Sequence, residues 1–133
     1  ELLNGFDFNI SAILSSILFA PYTVDQPTGK ISFAALTPIN DIAFPDGATH
    51  ISLQGAFAIV DFATGVSDVE FSNEINLPIY GTTAPQTLTP AAVPSGTGTK
   101  FYLLEIEFFQ EVNSVQYSLK NGAYNALAIV EVA

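Results

Sequence analysis

The side chains able to do chemistry are few, and their spacing limits what they could do. There is one histidine, His50. A Ser–His–acid triad needs imidazole as its base, so any such scheme would have to use it. His50 stands between Thr49 and Ile51, opposite the apolar stripe of its segment, and no G-x-S-x-G or H-E-x-x-H motif accompanies it. We read it as an exposed polar strand residue. Paired carboxylates are the other hydrolytic device. Glu105, Glu107 and Glu111 alternate along one segment, as do Asp68 and Glu70 along another, so each set shares a face if the segments are strands.

If those two segments were neighbours, their acids would converge, and Asp68, Glu70, Glu105 and Glu107 would be the candidate metal ligands. The competing reading is a solvated sheet face whose charge blocks edge-to-edge association. We favour the latter, because a glycosidase cleft is usually lined by tryptophan and this sequence has none. Calcium calls for about six to eight oxygen ligands. The loops holding Asp25 and Asp46 offer one acid each, and no D-x-D-x-D-G run occurs. A structural calcium is compatible with this sequence but not expected, and no cofactor is expected.

Sugar binding usually rests on an aromatic platform. Tyr80 and Tyr124 are the loop aromatics available for ligand binding, since most of the phenylalanines fall in strand patterns. Asn9-Ile10-Ser11 matches a glycosylation acceptor by chance, because Asn9 is expected to alternate with core phenylalanines in a strand.

Composition narrows the classes further. Of 133 residues, 49% are apolar and only 12% charged, against roughly a quarter charged in ordinary globular domains. The exposed surface is therefore expected to be built from Ser, Thr, Asn and Gln. Three lysines, no arginine and thirteen acids give a formal charge of −10. Nucleic-acid binding needs cations against phosphate, so no nucleic-acid partner is expected, and anionic membranes are disfavoured for the same reason. The absence of cysteine excludes disulfides and thiolate chemistry. The longest apolar stretch, 10–20, is broken by Ser11, Ser15 and Ser16 and is too short to span a bilayer, so no membrane insertion is expected.

The elements that must carry these residues are strands. Phe6, Phe8 and Ile10 alternate with Asp7 and Asn9. Residues 11–19 (SAILSSILF) fit a strand or a helical face, and the β-branched content with Ala20-Pro21 after it favours a strand. Residues 22–36 read as a hairpin turned by Asp25-Gln26-Pro27-Thr28-Gly29. Ile51, Leu53, Gly55, Phe57 and Ile59 mark one face of a long strand, which Ala63-Thr64-Gly65 turns toward Val69 and Phe71. Gly55 inside it predicts a bulge or a close backbone approach. Residues 80–100 read as a long surface connection with a short strand near Leu88. Tyr102, Leu104, Ile106 and Phe108 line one face of the next strand, followed by turns at Asn113-Ser114 and Asn121-Gly122 and a closing strand over 126–132.

That gives about eight or nine strands in one all-β domain spanning 1–133, a two-sheet antiparallel β-sandwich, immunoglobulin-like in class. Termini fray unless tied down, so the first and last segments are expected to be paired strands or held by neighbouring subunits. With no Met in the sequence, we expect a processed product or a fragment of a longer protein.

The segments Phe108-Phe109-Gln110-Glu111-Val112-Asn113, Tyr117-Ser118-Leu119-Lys120-Asn121-Gly122-Ala123 and Asn125-Ala126-Leu127, with the opening 2–9, resemble a family of uncharacterised Bacteroidetes proteins. The similarity covers the two ends, and Ser114 stands where that family would have Gly. The resemblance implies bacterial origin, the β fold, and a basic N-terminal region ahead of the domain without a signal peptide. It implies no activity.

The function expected from all this is a non-catalytic structural or interaction module, self-associating or binding another protein, as a subunit of an extracellular, cell-surface or particle-like assembly. The alternative is a carbohydrate- or ligand-binding β-sandwich module using Tyr80 and Tyr124. No enzyme is expected.

Overall fold

The computed structural model describes residues 6–9, 13–119 and 125–133. Nine strands run through them: β1 Thr23–Asp25, β2 Lys30–Leu36, β3 His50–Val60, β4 Ser67–Phe71, β5 Ile75–Pro78, β6 Ala84–Leu88, β7 Thr99–Val112, β8 Val115–Ser118 and β9 Ala126–Val132. The described chain is an all-β, sandwich-like fold with two single-turn helices, α1 Leu14–Ile17 and α2 Pro38–Asp41. No helix among the described residues is long and apolar enough to cross a membrane.

The larger sheet is organised on two long antiparallel strands. Every residue of β3 pairs with β7, from His50↔Phe109 to Val60↔Thr99. Each long strand is then flanked end to end by two short ones. β4 and β5 share the open side of β3, and β8 and β9 share the open side of β7. The smaller sheet is β1-β2-β6, also antiparallel. The strand expected near Leu88 is therefore β6, which pairs Ile31↔Leu88 through Phe33↔Gln86.

Alternation decides which side chains meet between the sheets. Ile51, Leu53, Phe57 and Ile59 of β3 and Tyr102, Leu104, Ile106 and Phe108 of β7 point inward and are buried. Ile31, Phe33, Leu36 and Leu88 reach them from the smaller sheet. Gly55 interrupts the β3 stripe because the Ile31 side chain needs the space. A Cβ there would stand 3.2 Å from Ile31 Cδ1, so what closes on Gly55 is a side chain from the other sheet, rather than the expected bulge or close backbone. The Tyr102 ring stacks on Phe57 at 4.7 Å, and its hydroxyl donates to the Gln26 carbonyl at 2.6 Å. One side chain thus ties the long strand to the β1–β2 turn across the core.

Gly29 closes that turn in the left-handed region (φ +77°) and donates to the Asp25 carbonyl at 2.7 Å. A second turn, after β3, is built alike: Gly65 (φ +76°) donates to the Asp61 carbonyl at 2.8 Å. Asn113 and Ser114 turn β7 into β8 with φ of 52° and 67°, positive at both central positions as in a type I′ hairpin turn.

The strand favoured over 11–19 is corrected. Residues 14–17 form α1, and the residues before Ile13 in that stretch lie outside the described ones. The reason is spacing: Leu14 and Leu18 both enter the core while Ser16, which a strand would turn to the same face, is exposed. Asp7 Oδ1 also accepts the Leu14 N–H at 2.9 Å. The opening alternation does become a paired segment, with Phe8 N donating to Leu127 O and Ile129 N to Phe6 O, both at 2.8 Å, beside β9. The Asn121-Gly122 turn lies outside the described residues.

Candidate functional site

The residues singled out from the sequence are dispersed. His50 is half-buried, and its Nδ1 lies 2.9 Å from the Thr49 hydroxyl. Tyr80 follows β5, is 77% exposed and meets the edge of Phe44, at 6.4 Å. Tyr124 lies outside the described residues.

The two acid sets do not converge. β4 and β7 are not neighbours, because β3 lies between them. Register also separates them by face. Asp68 stands opposite Ile59 and Glu70 opposite Phe57, on the inward side at the sheet edge. Glu105 stands opposite Gln54 and Glu107 opposite Ser52, on the outward side. Asp68 is engaged locally, its Oδ2 accepting from Ser95 N at 2.7 Å and Ser95 Oγ at 3.2 Å. Among the described residues no group of three or more His, Cys, Asp or Glu could hold a metal ion.

The feature that stands out is the outward face of the six-stranded sheet, which the sequence reading took to be solvated. Its residues form rows across β4, β3, β7 and β9. One row is Phe71–Ala56–Leu103–Ile129 and the next is Val69–Ala58–Phe101–Val132. All eight side chains are apolar. Toward the other end the rows turn polar, to Gln54–Glu105–Leu127 and then Asn76–Ser52–Glu107. Asn76 bridges the polar end by donating to Ser52 Oγ at 3.0 Å and to Gln116 Oε1 at 2.9 Å.

Side-chain size shapes this face. The small Ala56 and Ala58 form a floor along β3, and larger groups on both sides make walls. The result is a groove of about 450 Å³, lined by Val69 and Phe71 on one side and by Phe101, Leu103, Ile129 and Phe8 on the other. Phe71 is 60% exposed and Phe8 53%. Phe62 extends the apolar surface past the groove, edge-on to Phe101 at 6.2 Å. A lone exposed apolar residue needs no explanation, but a contiguous apolar groove does.

Glu105 stands at the groove's polar end. Burial raises its carboxyl above the usual carboxylate range. The charge of Glu107, a hydrogen bond with Glu107 and the charge of Glu74 act in the same direction. No cationic side chain is among the groove's lining residues. Lys30 lies in the smaller sheet, and Lys100 stands opposite Ile59 on the inward side. The sequence did carry a signal for this face: Phe101 to Leu104 are apolar at both parities, as are Ala126 to Val130. Unbroken apolar runs of that kind belong to strands covered on both faces.

Against known proteins, the chain matches no family model, no curated protein and no solved structure.

Proposed function

We propose that the chain is a non-catalytic interaction module whose working surface is the outward face of its six-stranded sheet. The observation that carries this is a sheet apolar on both sides, to which the described residues give a second layer on only one. Water-exposed apolar area costs about 25 cal/mol per Å², so covering the Phe101–Ala58–Ile129 side is favourable for whatever protein surface fits it. Association of copies of the chain through this face is the homotypic form of the reading. The acids offer little to a hydrolytic alternative, since the two sets lie on opposite faces of the sheet.

The test pairs light scattering from low to high micromolar concentration with binding of a neutral lipophilic dye, Nile red. It compares the native chain with Phe71→Asp, a change at a largely exposed position. Dye binding or self-association that Phe71→Asp removes, with the circular dichroism spectrum unchanged, supports the proposal. A chain that stays monomeric and binds no dye refutes it.

A further inference from the structure

Given that reading of the face, we propose that its occupant is an amphipathic helix of another protein. Its apolar side would lie along the Ala56–Ala58 floor, and a lysine or arginine at one end would meet Glu105 and Glu107. Dimensions come first. The walls on β4 and β7 stand two strand spacings apart, about 10 Å, which admits one row of side chains from a helix of about 10–12 Å diameter lying over the alanine floor. The walls rise on both sides of an alanine floor, the form a groove needs to hold helix side chains at i, i+3, i+4 and i+7. The apolar surface continues past the groove to Phe62.

Charge then sets the occupant's chemistry. The groove runs from a purely apolar end to one carrying Glu105, with Glu107 in the next row and Glu74 acting on it. Burying that end without a counter-charge would strand a carboxylate in a poorly solvated place. A second copy docked through the same face brings no cation, because that face carries none among its lining residues, and each chain bears a net −10. A fatty acid would set one carboxylate against others. A basic side chain resolves the conflict and places an ion pair at the edge of an apolar contact, where it selects the partner and its orientation.

The experiment uses fluorescence anisotropy with the full chain and three labelled synthetic peptides. One has a Leu/Ala face and a terminal lysine pair, the second carries glutamates in place of the lysines, and the third is the lysine peptide scrambled to destroy its apolar face. We expect the lysine peptide to bind about tenfold or more tightly than the glutamate peptide, as one charge-assisted contact is worth. Glu105→Gln should shrink that preference, and Phe71→Asp should abolish binding of both. Equal binding of the lysine and glutamate peptides overturns the inference, as does a dimer dispersed by Phe71→Asp. Dye binding without any peptide binding overturns it too, while leaving the module reading standing. Absence of both dye and peptide binding brings down the reading on which it rests.

Discussion

Replacing Gly29 and, separately, Gly65 by alanine measures how firmly the β1–β2 turn is seated on the core. The two glycines have nearly the same backbone, φ +77° and +76°, and each donates its N–H to the carbonyl four residues back. They differ in surroundings. A Cβ at Gly65 meets nothing within 4 Å, whereas one at Gly29 would stand 2.5 Å from Phe57 Cδ2 and 2.7 Å from Phe57 Cβ and Cγ. Phe57 is fully buried and stacked on Tyr102, so its ring has little room to withdraw. The left-handed backbone costs an alanine roughly 1–2 kcal/mol at either site. Overpacking adds about 1–3 kcal/mol at Gly29 alone. Gly65→Ala should therefore lose about 1–2 kcal/mol and Gly29→Ala about 2–5 kcal/mol, a large share of the roughly 5–15 kcal/mol that holds a domain folded. Urea unfolding followed by tyrosine fluorescence gives both values, provided the m-values agree. Equal losses at the two sites would refute the argument, because they would mean that the turn does not press on Phe57.

Other outcomes follow from single residues. Ser114→Gly removes a side chain from a φ of 67°, and should raise stability by about 0.5–1 kcal/mol in the same urea assay. Glu105→Gln tests the electrostatics of the outward face. The folded carboxyl is raised by burial and by Glu107 and Glu74, so the fold holds its proton more tightly than the unfolded chain does. That contribution is complete below the ordinary carboxylate range and is lost as pH rises through the folded value. The glutamine variant should melt higher than the native chain near about pH 7, with the gap closing toward about pH 4. A gap that widens on acidification would contradict the assignment.

The strands were readable because alternation writes the inward stripe directly into the sequence: Ile51, Leu53, Phe57 and Ile59 in one strand, Tyr102, Leu104, Ile106 and Phe108 in its partner. Turns were readable where backbone demands are special, at Gly29, Gly65 and Asn113. The 14–17 turn was not, since a short apolar run serves a buried strand or a buried helical turn equally well. Nor was the groove. Each of the two apolar rows on the outward face draws one residue from each of four strands, and the small floor matters only once Ala56 and Ala58 are known to sit between Phe71, Val69, Leu103 and Phe101. Periodicity describes one strand at a time; a groove is a property of register.

The β3–β7 ladder also governs how the molecule must be assembled in time. Even its closest partners in sequence, Val60 and Thr99, are separated by β4, β5 and β6, so no short hairpin can nucleate the central pair. Closing so long a loop precedes any reward from the contacts it makes, which places refolding in the slow, millisecond-to-second regime of non-local β topologies. Until that closure, β7 lacks its β3 partner and presents apolar side chains on both sides. Refolding yield should accordingly fall as protein concentration rises, through a nascent species rather than through the finished fold.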